Sequence, residues 1–114
     1  MNKFLRAANW IAIAFFGFAV LAIVVAQPSA SALSALNLVP FGLALMAARA
    51  DSKNSARWAG LLANSLWALL YIGIAGVVVA GLGGSLIAVP VVLLVAAPCV
   101  LNATTLWRSL RASA

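Results

Sequence analysis

Two long stretches of this 114-residue chain carry no charged side chain: residues 7–48 and residues 58–107, which contain 42 and 50 residues. A helix that crosses the hydrocarbon core of a membrane needs about 20 apolar residues. Each stretch is therefore too long for one crossing and long enough for two crossings joined by a turn. The sequence predicts an all-α membrane protein whose four transmembrane helices form two antiparallel hairpins.

The composition agrees with a membrane setting. Hydrophobic residues make up 67% of the chain and charged residues only 7%, with a mean hydropathy of +1.19, whereas about a quarter of the residues in soluble domains are charged. The breaks between apolar runs predict one membrane domain, residues 1–114, with spans at about 5–26, 32–48, 58–80 and 86–107 and a cytoplasmic loop at 49–57.

The basic residues fall into three short clusters: Lys3 and Arg6 at the start, Arg49, Lys53 and Arg57 in the middle, and Arg108 and Arg111 at the end. The single acid, Asp51, lies in the middle cluster. Two hairpins place all three clusters on one side, which the positive-inside rule assigns to the cytoplasm. We therefore expect both termini to be cytoplasmic and the protein to lie in a bacterial inner membrane.

The same clusters predict contacts with the membrane surface. A net charge of +6 could indicate nucleic-acid binding, but the basic residues flank apolar spans and do not form one continuous basic face. Three tryptophans stand at the predicted ends of spans, where an amphipathic indole suits the headgroup boundary. Contacts with lipid headgroups and the interface are expected from Arg6, Trp10, Arg57, Trp58, Trp107 and Arg108.

The first span could be mistaken for a signal peptide, because a basic start is followed by an apolar run and by Ala30-Ser31-Ala32. The run from Ala7 to Ala26 contains 20 residues, longer than the 7–15 residues typical of a signal-peptide core. We therefore expect a retained span. Pro40 falls inside the predicted second span and predicts a kink there.

Each predicted span contains one asparagine: Asn9, Asn37, Asn64 and Asn102. An amide in hydrocarbon needs hydrogen-bond partners, so these side chains should face protein. Asn64 and Asn102 lie seven and six residues from the nearest basic residue, which predicts that they can meet in the cytoplasmic half, whereas Asn37 belongs to the outer half. Interhelical polar contacts are expected from Asn9, Asn37 and Thr105.

One face of the third span is rich in groups that could bind a ligand. Gly60, Asn64, Trp67 and Tyr71 occur at i, i+4, i+7 and i+11, the spacing of one helical face. One interpretation is an interior packing face with local polar bonds. The other is a pocket for a lipophilic molecule or organic cation, bound by Asn64, Trp67, Tyr71 and Asn102.

The residue types that most intramembrane chemistry requires are missing from the predicted spans. The chain contains no histidine, and no Asp, Glu, Lys or Arg lies within 7–48 or 58–107. A proton relay or an ion-pair pathway would need such groups. Asp51 alone cannot form a catalytic carboxylate pair, and the single Cys99 allows no intrachain disulfide. We expect no enzymatic activity, no cofactor and no metal site.

Three functions remain open. The first is a non-catalytic accessory or scaffold subunit that packs against a larger membrane complex or against itself, so that its partners are membrane lipids and other membrane subunits and not nucleic acid. The alternative is a small transporter or binder of lipophilic or cationic molecules, and the third is a holin-like pore. In length and span count the chain is similar to small multidrug resistance transporters, which implies dimers of four-span subunits, but their first-span glutamate has no counterpart between Ala7 and Ala26.

Overall fold

The computed structural model describes residues 2–27, 34–49 and 51–112, and the secondary structure within these ranges is entirely helical. Helix α1 spans Lys3–Ala26; a 3-10 turn at Leu36–Leu38 leads into α2, Val39–Ala47; α3 spans Asn54–Val79 and α4 spans Ala88–Ala112. Helices α1, α3 and α4 are long and apolar enough to cross a membrane. The predicted all-α architecture and three long apolar helices are thereby confirmed.

The long helices extend beyond the predicted spans into the basic segments. Helix α3 begins at Asn54 and α4 continues to Ala112, because Arg and Lys are good helix formers and no glycine or proline interrupts these ends. Arg111 in the last turn of α4 also complements the partial negative charge of the helix C-terminus. Charged residues thus extend α3 and α4, whereas Arg49, Asp51 and Lys53 lie in the connection between α2 and α3.

The connection between α3 and α4 is a glycine-rich turn, which falls between the predicted spans 58–80 and 86–107. Gly81 and Gly84 adopt positive φ angles of 77° and 80°, a conformation that costs little only for glycine. The other predicted turn, at about 27–31, falls mainly on residues outside the described ranges. The glycines therefore allow the chain to turn sharply between α3 and α4.

Of the predicted second span, 32–48, residues 34–47 are helical in the structure. The 3-10 turn and nine residues of α-helix account for 36–47, and residues 28–33 lie outside the described ranges. Pro40 lies in the first turn of α2, directly after the 3-10 turn, and the predicted kink there stays a prediction. Helical residues 34 and 35 and the 3-10 turn lie just before the proline, whose missing N–H removes one backbone hydrogen-bond donor.

Helix α2 is wedged among the three long helices. Helices α3 and α4 pack along one another as the main hairpin, α2 packs against α3, and α1 packs against both α2 and α4. The buried face of α2 consists of Pro40, Phe41, Ala44 and Ala47. Phe41 is fully buried and stacks on Phe16 of α1, with ring centroids 5.9 Å apart. The short helix thus supplies a large part of the core.

The outer surface of the bundle is mainly apolar. Phe18, Leu69 and Leu94, from the three long helices, expose 78%, 70% and 73% of their surface. A water-soluble domain rarely leaves such residues in contiguous exposed patches. This surface is compatible with insertion into a membrane, where the surrounding lipid is equally apolar.

Candidate functional site

Three asparagine side chains from three helices meet inside the bundle. Asn9 of α1, Asn64 of α3 and Asn102 of α4 are each 0% exposed. Direct hydrogen bonds connect Asn9 to Asn102 and Asn102 to Asn64. We refer to the side chains of these three residues as the amide network. The structure therefore joins Asn64 and Asn102, which the sequence placed at similar depth, and adds Asn9.

Asn9 and Asn102 exchange hydrogen bonds. Asn9 Nδ2 donates to Asn102 Oδ1 at 2.8 Å, and Asn102 Nδ2 donates to Asn9 Oδ1 at 2.6 Å. The second N–H of Asn102 donates to Asn64 Oδ1 at 2.9 Å. Asn102 is thus the central member of the amide network and connects α1 to α3 through α4.

The remaining amide N–H groups bind backbone carbonyls. Asn64 Nδ2 donates to the carbonyl oxygens of Pro40 at 2.8 Å and Gly60 at 2.7 Å, and Asn9 Nδ2 also donates to Leu5 at 3.0 Å. The bond to Pro40 extends the amide network to α2, so that all four helices are connected at one layer. Since an amide has two N–H donors, each of these side chains uses both.

Gly60 allows the helices to approach each other at this layer. A Cβ atom on Gly60 would lie 2.9 Å from Leu106 Cδ1 of α4 and 3.3 Å from the Leu43 carbonyl oxygen of α2. The first distance is shorter than real Cβ atoms tolerate. A glycine at this position therefore permits α2 and α4 to pack closely on α3, one helical turn before Asn64.

A second polar contact lies apart from the amide network. Tyr71 Oη donates to Asn37 Oδ1 at 2.7 Å, and Asn37 Nδ2 donates to the Ser34 carbonyl oxygen at 3.2 Å. Asn37 belongs to the 3-10 turn that precedes α2, so this bond connects the start of the short helix to α3. Trp67, the remaining aromatic residue of the predicted stripe, is only partly buried and packs against the apolar core.

The residues predicted to bind a ligand are in contact mainly with each other and with the backbone. Asn64, Tyr71 and Asn102 all have protein hydrogen-bond partners. Of four grooves on the described part of the molecule, none is lined by these three residues or by Trp67. Within the described ranges no buried side-chain nitrogen or oxygen lacks a partner. The geometry is that of a structural clamp between helices.

Thr105, from which an interhelical polar contact is expected, lies outside the amide network. It lines a small cleft of about 140 Å³ together with Arg49 and Arg57. Within the described residues its hydroxyl makes no hydrogen bond to another helix, whereas the neighbouring Thr104 donates to the Leu101 carbonyl of its own helix. Thr105 therefore faces the basic groups and not the amide network.

The basic clusters converge on one end of the bundle. Ser52 Oγ donates to the Ala47 carbonyl at 2.8 Å and accepts from Arg57 Nε at 3.1 Å, which ties the end of α2 to the start of α3. Trp58 and Trp107 contact each other edge to face, with ring centroids 6.3 Å apart. We call this end, which carries Arg6, Arg49, Arg57 and Arg108, the basic end. The predicted interfacial residues thus share one level of the structure.

Two elements of the site carry weak signals in the sequence. Asn9 lies only three residues from Arg6, so counting from basic residues places it nearer the surface than its partners. The carbonyl of Pro40 is a backbone acceptor, and no side-chain pattern marks it. A signal for Asn9 was nevertheless present, since an amide followed by a long apolar run has few alternatives to a buried partner.

No model of a known protein family matches the sequence, and no curated protein or solved structure shows significant similarity to it. Function must therefore be inferred from the chemistry and packing of the chain itself.

Proposed function

We propose that this protein is a non-catalytic integral membrane subunit of a bacterial inner membrane, which packs against other membrane subunits or against further copies of itself. The observation that carries the proposal is the contrast between its interior and its surface. The buried polar groups already bind one another, while three long helices present large apolar side chains outward. The exposed apolar faces are therefore the surfaces through which the protein would act, by packing against apolar neighbours.

The proposal includes four spans with both termini in the cytoplasm. Its support is the basic end, since successive basic clusters that lie at one end need an even number of crossings between them. Helix α2 and the residues before it would form the second crossing. The charges and tryptophans at the basic end would then face the cytoplasmic headgroups.

A subunit explains the amide network better than a small-molecule binder does. A binder needs polar groups that are free to contact its ligand, but the N–H groups of Asn64 and Asn102 donate to protein acceptors. Hydrogen bonds between membrane helices fix helix rotation. A rigid bundle with defined rotation presents the same outer faces to a partner each time.

Site-specific photocrosslinking in native membranes tests this proposal. A benzoylphenylalanine side chain would replace Phe18, Leu69 or Leu94, one exposed residue from each long helix, and the fully buried Phe41 would serve as the interior control. We expect at least one exposed position to form a crosslinked product larger than the single chain, and the interior control to form none.

Co-expression with a copy that carries a larger tag identifies the partner. A product whose mass follows the tag shows self-association, and a product that does not follow it shows a different subunit. If all three exposed positions gave only lipid adducts, and the extracted protein migrated as a monomer, the subunit proposal would be wrong.

A further inference from the structure

A groove between α1 and α2 opens at the basic end. It has a volume of about 490 Å³ and is lined by residues of both helices, including Arg6, Trp10 and Ile13 of α1 and Gly42, Met46 and Arg49 on or just after α2. The three α1 residues occur at i, i+4 and i+7, as do Gly42, Met46 and Arg49, so each set forms one helical face. The groove therefore runs along the helices and ends between two arginines.

Both arginines of this groove are accessible. Arg6 is exposed, and the ionic contact of Arg49 is to Asp51, at 3.7 Å, with 71% and 81% of the two side chains exposed. Exposed ion pairs of this kind contribute little, so Arg49 can exchange Asp51 for a stronger anion. The planar guanidinium group binds phosphate oxygens in a bidentate manner. The mouth of the groove thus has the chemistry of a phosphate site.

The rest of the groove is apolar and open. A side chain on Gly42 would meet nothing within 4 Å, so this glycine leaves a channel in the α2 surface. Trp10 and Met46 are each 59% exposed on the two helices that form the walls. These surfaces can cover a hydrocarbon chain that extends away from a headgroup bound at the arginines.

The other grooves on the described residues lack this combination. One lies along α3 beside Gly73 and another between α1 and α4 beside Pro98, and neither is lined by a charged residue. The cleft beside Arg57 is lined by basic groups but has a volume of only about 140 Å³. Of these four grooves, the α1–α2 groove combines an apolar lining with two arginines.

We propose that the α1–α2 groove binds one anionic phospholipid, with its phosphate between Arg6 and Arg49 and an acyl chain along Gly42. This inference rests on the proposed membrane location but not on the proposed subunit role. A zwitterionic lipid carries a cation beside the phosphate, which opposes two arginines, so the site selects lipids with net negative charge. The protein then holds a lipid as a component of its own surface.

Native mass spectrometry of the delipidated full-length protein tests the site, with phosphatidylglycerol and phosphatidylcholine of identical acyl chains as probes. We expect one phosphatidylglycerol to remain bound under conditions that release phosphatidylcholine. Arg6→Gln and Arg49→Gln should each weaken phosphatidylglycerol binding about fivefold, the effect of one cation near a headgroup. Gly42→Leu should weaken it as well, by filling the channel without a change in charge.

Two variants serve as matched controls. Arg111→Gln removes a charge from the end of α4, outside the groove, and Gly73→Leu fills open space beside α3, so both should leave phosphatidylglycerol binding unchanged. Equal binding of the two lipids would overturn the proposal, as would an equal loss with Arg111→Gln, which would indicate general surface charge. Displacement by millimolar inorganic phosphate alone would also overturn it, because the acyl chain would then contribute nothing.

The groove could instead hold a second copy of the chain. A native gel in which Gly42→Leu dissociates an oligomer while phosphatidylglycerol binding is unchanged would establish that occupant and reject the lipid. Failure of the lipid site leaves the crosslinks from Phe18, Leu69 or Leu94 unaffected, so the two proposals are tested separately.

Discussion

Asn9 and Asn102 lie 93 residues apart in the chain, yet each amide donates a hydrogen bond to the carbonyl oxygen of the other. The buried residues of α1 are Leu5, Asn9 and Ala12, all in the half of the helix near the basic end. The amide pair is therefore a principal attachment of α1 to the rest of the bundle. Beyond Ala12 the helix is held mainly by partly buried contacts such as that of Phe16 with Phe41.

Replacement of the central amide should loosen the bundle. Asn102→Leu removes bonds to Asn9 and Asn64 and leaves both without these partners. Single interhelical hydrogen bonds in membranes contribute about 0.6 kcal/mol and at most about 1.7, so we expect a loss of about 2 kcal/mol in the free energy of unfolding. Reversible denaturation in mixed micelles measures it. Thr104→Val, which removes an exposed bond within one helix, should cost less than about 0.5 kcal/mol. Equal losses in Asn102→Leu and Thr104→Val would show that the amide network does not hold the helices together.

Two glycines of α3 should respond to alanine with opposite signs. Gly60→Ala places a methyl group 2.9 Å from Leu106 and 3.3 Å from the Leu43 carbonyl, and such overpacking costs about 1–3 kcal/mol. Gly73→Ala meets nothing within 4 Å and should stabilise the helix by up to about 1 kcal/mol through its higher helix propensity. The same denaturation measurement distinguishes them. A stabilising Gly60→Ala would show that α2 and α4 do not approach α3 closely.

The contact between Tyr71 and Asn37 should hold the start of the short helix. Tyr71→Phe removes only the donor to Asn37 Oδ1 and should lower the free energy of unfolding by about 0.6–1.5 kcal/mol. In a double-mutant cycle, Asn37→Ala should cost less in the Tyr71→Phe background than in the native chain. Strictly additive losses would mean that the two side chains do not interact.

Cysteine labelling should show whether α2 belongs to a complete crossing. The test uses a Cys99→Ala background and cells whose outer membrane is permeabilised while the inner membrane is intact. We expect a membrane-impermeant maleimide to label Gln27→Cys and Leu82→Cys in these cells. Lys53→Cys should react only after the inner membrane is permeabilised. Labelling of Lys53→Cys together with Gln27→Cys would place the middle cluster outside and contradict the four-span topology. The native Cys99, which is fully buried, should not react in the folded protein.

The sequence predicted that the helices exist better than it predicted where they begin and end. Charge-free runs between basic clusters require helices in a membrane, because every backbone polar group must be paired internally, and α1, α3 and α4 follow from this constraint. The 3-10 turn at Leu36–Leu38 did not follow, since its apolar composition does not distinguish it from continuous α-helix. Pro40 was also ambiguous, because a proline suits both a kink and a first turn.

The candidate site was predicted by residue type but not by partner. The burial of Asn64 and Asn102 follows from the cost of an unpaired amide in hydrocarbon, and their similar depth follows from the flanking arginines. Whether Asn9 joins the amide network depends on the position of α1 along the bundle relative to α3 and α4. Asn9 is the seventh residue of α1, whereas Asn64 is the eleventh residue of α3, and this offset is a property of packing that no local pattern encodes.

The reciprocal bond between Asn9 and Asn102 has a consequence for synthesis. A ribosome that adds 5–20 residues per second needs roughly 5–20 s to advance by the 93 residues between them. During that interval α1 has left the ribosome while its amide partner does not yet exist. In the proposed membrane setting, α1 therefore enters the bilayer before Asn102, the reciprocal partner of Asn9, has been made, and completion of α4 fixes its final position. The Asn9–Asn102 hydrogen bonds, and with them the final position of α1, can form only after α4 has been synthesised.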